Sequence, residues 1–371
     1  MSLSDLLLRN GRARPGAGDA PDAAMEGYLG QVEEVLEDFF VASSTRGRDL
    51  TPRFAGLWDA LRTTTAGGKR LRPRLVFTAW HGLGGADSTA AARVGAAFEV
   101  LHTALIVHDD VVDRDFTRRG KPNVSGLYLG QALAAGLPRP EAEHRAMSVG
   151  VVAGDVALLN AYRLLDRTDV AASVRSTLLD LLDEAVHASA AGELLDIEYS
   201  ISAAGLQAQD VISMERLKTS VYSFEAPLKA GAVLAGADAD IIAGLGDVGR
   251  NMGIAYQIVD DLLGVFGDEA GTGKSTLGDV REGKLTVLMS HASTRPQWPA
   301  IATHLGDPDL SEEQADQVRA LLTEAGSRAY AEQLALSYAE CAQERLLGAD
   351  IPRTLSHGLE RMLSAVLDRR R

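Results

Sequence analysis

The chain has 371 residues, 46% of them hydrophobic and 24% charged, which is enough apolar material for a large buried core. Acidic residues outnumber basic ones by 51 to 37, for a net charge of -14, so the average surface repels a phosphate backbone and nucleic acid is excluded as a partner. The single cysteine, Cys341, rules out an internal disulfide and a cysteine-built zinc site, and suits a reducing, cytoplasmic setting.

In chain order, the first apolar run is Leu6-Leu7-Leu8, which Arg9 ends before a signal-peptide core is reached; residues 1–24 read as a mobile tail. From about Ala24 apolar residues recur at helical spacing, as in Leu101, Leu105 and Val112 or Leu178, Leu181, Leu182 and Val186, and no run alternates as a strand would. With no linker in the middle and no repeat period, residues 25–371 read as one all-α domain, a helical bundle. Pro73, Pro122, Pro138, Pro140, Pro296, Pro299 and Pro352 fall between the helical stretches, whereas Pro227 lies inside one and predicts a kink. Asp155, and later Asp238 and Asp240, interrupt the apolar stretches before any reaches the length of a membrane span, so no transmembrane segment is expected.

The first chemical signal is Gly67-Gly68-Lys69-Arg70-Leu71-Arg72-Pro73, a loop with three cations at the start of a helix. Glycines let backbone amides approach a ligand, and lysine and arginine offer a point charge and bidentate forks to phosphate oxygens. Basic loops are often merely solvated, but Thr117-Arg118-Arg119-Gly120-Lys121-Pro122 adds a second cation cluster beside an acidic one.

That acidic cluster is the strongest local signal: His108-Asp109-Asp110-Val111-Val112-Asp113-Arg114-Asp115, on a helix beginning near Ala96. At about 100° per residue, Asp109, Asp110 and Asp113 share one arc of the helix. A solvated acidic face is the bland alternative. Against it, the turns Val100-Leu101 and Ala104-Leu105-Ile106-Val107 are apolar all round, so these carboxylates project from a buried helix. Oxygen ligands without cysteine suit Mg²⁺.

A second acidic pair, Asp260-Asp261, stands in Gln257-Ile258-Val259-Asp260-Asp261-Leu262-Leu263-Gly264, at the end of an apolar helix from about Asp247. Two such pairs on apolar helices, with no basic helix face placed to neutralise them, predict cations and a phosphorylated ligand, the pairs facing one another across a bundle cavity. Gly264 to Gly283 then reads as a long irregular segment. Within it, Gly271-Thr272-Gly273-Lys274-Ser275 fails as a phosphate-binding P-loop, since Asp268 stands where a glycine is needed, yet Lys274 remains a phosphate contact candidate. The eight histidines show no zinc spacing, and no serine, histidine and acid arrangement stands out.

In this order, from about Gly67 to Lys284, the motifs resemble those of the trans-prenyl diphosphate synthases, the polyprenyl synthetases. The resemblance implies an isoprenoid synthase-like helical bundle around a central apolar cavity. It implies that Asp109, Asp110 and Asp113 form a first aspartate-rich motif and Asp260 and Asp261 a second, together holding Mg²⁺, three ions in all, on an allylic diphosphate. Lys69, Arg72, His102 and Arg119 would bind the diphosphate of isopentenyl diphosphate. Arg118, Lys218, Thr219, Gln257, Lys274 and Lys284 would hold the allylic diphosphate or shape the transition state, with Asp109, Asp113, Asp260, Lys218 and Lys274 as the catalytic set. Gly154-Asp155, Gly192-Glu193-Leu194-Leu195-Asp196 and Gly283-Lys284 also match family segments, and a homodimer is implied. Two departures stand out: Gly264 where the family often has a third aspartate, with Asp268 close behind it in sequence, and Glu193 where glutamine is commoner.

Chemically, charge neutralisation of the leaving diphosphate would ionise the allylic C–O bond, the isopentenyl double bond would attack, and the departing diphosphate would take the proton. Ala104 is small where short-chain members often carry an aromatic, and with Leu101 and Leu105 it predicts a product of twenty carbons or more over the fifteen-carbon alternative. A class I terpene cyclase shares the aspartates but binds a single diphosphate, which the Gly67–Arg72 loop and Arg119 argue against. A non-catalytic partner subunit has only Gly264 in its favour.

Overall fold

The computed structural model describes residues 20–201, 206–267, 278–348 and 351–368, and they form two compact units. The first holds Ala17–Asp183 with Lys229–Ala237; the second contains Glu184–Leu228 and Asp238–Arg371.

In the first unit the helices are α1 (Ala20–Leu50), α2 (Pro52–Thr65), α3 (Leu71–Gly82), α4 (Ser88–Val112), α5 (Val124–Ala134), α6 (Arg139–Asp166) and the start of α7 (Ala172–Ile201). The tail boundary expected near residue 24 falls inside α1. Helix α4 starts eight residues before Ala96, because the Asp87 side chain caps it by accepting from Thr89 N and Ala90 N at 2.9 and 3.1 Å. It is buried on nearly every side, with Val94, Phe98, Leu101 and Ala104 inaccessible, so it is the core of this unit. Helix α6 lies against α4 through small residues: Ala146, Ala153, Ala157 and Ala161 are buried, and a Cβ on Gly154 would collide with the His108 ring. Glycine at this position leaves the space that the His108 ring occupies.

The absence of strands is corrected in one place. Thr117–Arg118 (β1) and Lys121–Pro122 (β2) pair antiparallel, with Thr117 opposite Pro122 and Arg118 opposite Lys121. Two residues per strand are too few for alternation to register in sequence.

The second unit includes α8 (Ala208–Glu215), π-helical turns over Arg216–Glu225, α10 (Ala239–Phe266), α11 (Gly278–Arg281), α12 (Val287–Ala292), α13 (Trp298–Ala302), α14 (Glu312–Glu324), α15 (Ser327–Gly348) and α16 (Arg353–Leu367); α9 (Ala226–Leu234) precedes α10. Asp238 caps α10, accepting from Ile241 N at 2.9 Å, so this helix also begins earlier than expected. It buries Leu245, Val248, Met252, Ile258 and Val265 in contact with α15, which offers Ala331, Ala335, Ala339 and Ala342. Helix α16 presents Leu355, Leu359 and Leu363 at four-residue spacing, each stabilising the unit by about 1.5–3 kcal/mol on burial. The predicted kink at Pro227 resolves into a change of helix type: the π-helical turns end at Glu225, and Pro227 sits in the first turn of α9. Part of the predicted irregular segment after Gly264 is helical, since α10 continues to Phe266 and α11 follows at Gly278.

Among the described residues two helices, α4 and α6, are long and apolar enough to cross a membrane, although Asp155 was expected to interrupt the second; their apolar windows are 78% and 39% buried within the protein.

Candidate active site

In the first unit, Asp109 and Asp110 occupy the last turn of α4 and Asp113 caps it. Asp110 is buried; Asp109 and Asp113 are half-buried. Strand β1 brings Arg118 onto them: Nε and Nη2 donate to Asp110 Oδ1 at 2.9 and 2.7 Å, and Nη2 donates to Asp109 Oδ2 at 3.2 Å. The expectation that no basic helix face neutralises the aspartates left out Arg118, which pairs with both carboxylates here. The cation comes from a strand, where helix-face reasoning does not look.

One guanidinium does not satisfy both carboxylates. Asp110 Oδ2 is buried without a hydrogen-bond donor, and burial, opposed in part by Arg118, raises the carboxyl to about 6. Nearby, burial and then the positive fields of Arg72, Arg118, Arg119 and Arg70 hold the His102 imidazole well below its ordinary value, which keeps it neutral. The glycine loop and the β-hairpin thus converge: a Cβ on Gly68 would lie 3.2 Å from Arg119 Nη1. Arg70, Arg114 and Arg119 adopt left-handed backbone conformations, with φ of 50, 57 and 54°, a strain of the kind stored at ligand-binding loops.

The three loop cations divide by role. Arg70 is buried and structural, pairing with Glu33 at 2.6 Å and Glu99 at 3.1 Å and donating to Thr65 O at 2.7 Å. Arg72 is also buried, 3.9 Å from Glu99, while Lys69 is exposed. Below the aspartates on α4, Leu101 and Ala104 are fully buried and Leu105 half-buried.

In the second unit, Asp260 and Asp261 lie near the end of α10. Gln257 Nε2 donates to Asp261 Oδ1 at 3.0 Å, and the same carboxyl is hydrogen-bonded to that of Glu215. Against Asp261 lies the buried carboxyl of Glu215; burial above all raises the pKa of both well above the ordinary carboxylate range, and Asp279 raises both further. Glu215 was not among the expected site residues. In sequence it is one more helical charge, and only burial distinguishes it.

The π-helical turns present Lys218 and Thr219. Lys218 Nζ lies 2.6 Å from Asp196 Oδ2 and 3.0 Å from Glu193 Oε2, which joins two motifs that the sequence kept apart. The fit is close, since a Cβ on Gly192 would collide with the backbone N of Lys218. Lys284 pairs with Glu282 at 2.8 Å. Lys274 and Asp268 lie outside the described residues.

Among the described residues, no three histidine, cysteine, aspartate or glutamate side chains enclose a metal position. Mg²⁺ keeps waters and substrate oxygens in its shell and takes one or two carboxylates. In the first unit, the buried Asp110 Oδ2, which has no hydrogen-bond donor, is a hard ligand that fits such an ion.

The model of the polyprenyl synthetase family matches residues 56–322. The chain is 33% identical to geranylfarnesyl diphosphate synthase of Aeropyrum pernix over 77% of this chain and 85% of that protein. It is 36% identical to geranylgeranyl diphosphate synthase of Sulfolobus acidocaldarius over 61% of this chain and 63% of that one. A crystal structure of geranylgeranyl pyrophosphate synthase from Corynebacterium glutamicum, complexed with isoprenyl diphosphate and magnesium, superposes with a TM-score of 0.86 at 30% identity, covering 93% of this chain and 99% of that one. The chain therefore belongs to the polyprenyl synthetase family, and is a prenyltransferase of all-helical build.

Proposed function

We propose that this prenyltransferase condenses isopentenyl diphosphate with an allylic diphosphate, giving a linear all-trans prenyl diphosphate of twenty carbons or more. One observation in the first unit carries the reading: a carboxylate set at Asp109, Asp110 and Asp113 stands beside a separate positive cluster, Arg72 and Arg119 around a neutral His102. Condensation needs two diphosphates bound at once, whereas cyclisation needs one.

In this reading Asp109, Asp110 and Asp113, and Asp260 and Asp261, hold Mg²⁺, three ions in all. When bound, the metal supplies positive charge to the leaving diphosphate. Lys69, Arg72, His102 and Arg119 bind the isopentenyl diphosphate group. Arg118, Lys218, Thr219, Gln257, Lys274 and Lys284 hold the allylic diphosphate. No protein carboxylate is required as the base, since the departing diphosphate can take the proton. Leu101 and Ala104, both fully buried on α4 below the aspartates, are apolar and carry no nucleophile. The small Ala104 leaves depth for a growing chain, and the product names of the relatives agree with twenty carbons or more.

The family match runs through both compact units, which supports treating residues 25–371 as one prenyl synthase domain. We further propose a cytoplasmic homodimer: Val151, Val152 and Leu159 expose an apolar face on α6, and the chain has a single cysteine.

The test is to incubate the purified chain with Mg²⁺, isopentenyl diphosphate and each of dimethylallyl, geranyl and farnesyl diphosphate, with Asp109→Ala as control, and to identify products by mass spectrometry. Linear products that the control fails to make are expected. No condensation with any primer, or a cyclised hydrocarbon from one diphosphate, overturns the reading.

A further inference from the structure

The second acidic pair ends in Gly264, and the space beside that glycine is occupied. A Cβ built on Gly264 would collide with Asp279 Oδ2 and come within 3.0 Å of Asp279 Cγ. A side chain at position 264 and the carboxylate of Asp279 thus compete for one place, and in this chain Asp279 holds it.

Asp279 is carried on a short but fastened segment. Helix α11 closes through Lys284 N donating to Asp279 O at 2.9 Å, Gly306 N donates to Val280 O at 2.9 Å, and Arg281 Nη2 donates to Leu310 O at 2.7 Å. Val280 is buried. The segment that carries the carboxylate is therefore fixed by backbone and core contacts. Its negative field reaches both buried carboxyls of the site, Asp261 and Glu215. Asp261, only 6% exposed, is hydrogen-bonded to the buried Glu215 carboxyl, so the two acids of the site lie side by side within reach of Asp279.

We propose that Asp279 is a positioning residue for divalent-cation binding at Asp260 and Asp261, its carboxylate filling from α11 the place that a side chain on residue 264 would take. The inference rests on reading these aspartates as Mg²⁺ ligands. It accounts for a glycine at the end of the second acidic motif without loss of a functioning site: the negative charge is present, but is delivered from a later segment of the chain.

The test is Mn²⁺ binding in the presence of inorganic pyrophosphate, followed by electron paramagnetic resonance on the full chain and three variants, with thermal unfolding as a control for folding. Asp279→Asn, which keeps the volume and removes the charge, should weaken Mn²⁺ binding about tenfold. Gly264→Asp alone should also weaken it, because two carboxylates then contend for one space. Gly264→Asp combined with Asp279→Ala should bind more tightly than Gly264→Asp alone or Asp279→Asn, with charge restored from the other side. Unchanged binding by Asp279→Asn, or a double variant no better than these single ones, overturns the proposal. Condensation by the unaltered chain is assayed separately: a chain that makes product while Asp279→Asn binds Mn²⁺ normally overturns this inference alone, and one that binds no Mn²⁺ overturns the metal-site reading as well.

Discussion

Arg118 donates twice to Asp110 Oδ1, through Nε at 2.9 Å and Nη2 at 2.7 Å, so a buried carboxylate is braced by a planar fork. Lysine cannot reproduce that geometry, because its ammonium is a point charge without two coplanar donors. Arg118→Lys is expected to lower kcat/KM by about 10²-fold, the scale for losing one preorganised donor at a developing charge. Steady-state kinetics with a fixed allylic primer measures it, and a variant with parental kcat/KM would remove Arg118 from the site.

The collision of a Gly192 Cβ with the Lys218 backbone has a different signature. Backbone cannot swing aside as a side chain can, so Gly192→Ala should destabilise the protein by about 1–3 kcal/mol, as overpacking does. By displacing Lys218 from Asp196 it should also lower kcat. Urea unfolding and turnover, measured on the same preparation, should fall together; an unchanged kcat would show that the Lys218 contact does not matter to the reaction.

His102 links stability to pH. Burial, then the fields of Arg72, Arg118, Arg119 and Arg70, depress its pKa in the folded state. As pH falls through the ordinary histidine value near 6.5, the unfolded chain therefore takes up a proton that the folded chain refuses, and stability is lost toward acid. His102→Asn removes that uptake. Its Tm should fall less than the parent's between about pH 7.5 and 5.5. Parallel Tm curves for parent and variant would contradict a neutral, anion-site His102.

Ala104 is fully buried on α4, five residues before Asp109. Ala104→Phe should shorten the product, at a stability cost of about 1–3 kcal/mol from the added volume. Mass spectrometry of the products decides the matter: an unchanged chain length would mean that the floor of the product site lies elsewhere.

The proposed dimer can be tested on α6. Val152 and Leu159 are 50% and 70% exposed, and seven residues apart on a helix they lie on nearly the same line. Val152→Glu with Leu159→Glu should yield a monomer by light scattering, with little effect on the fold of the chain. A parent that is itself monomeric would exclude the homodimer.

Much of the site was legible because its motifs are local. Asp109, Asp110 and Asp113 share a helix face by spacing alone, and the apolar turns before them marked the helix as buried. The helix starts were less legible: α4 and α10 begin earlier than their apolar cores because the caps are single aspartates, Asp87 and Asp238, in ordinary-looking stretches. The hairpin that carries Arg118 was too short to leave a pattern.

The sequence by itself determined the all-helical class, since a recurrence of about 3.6 residues is a property of the chain read in order, and it determined the two acidic motifs and their basic loops. Tertiary structure alone decided which charges meet: Arg118 on Asp110, Lys218 on Asp196, Glu215 against Asp261, and Asp279 in the space beside Gly264. The reason is physical. Helical periodicity acts over a few residues, whereas pairing and burial join side chains far apart in the chain, and burial sets whether a carboxyl is an ordinary surface charge or one that must find a proton or a cation.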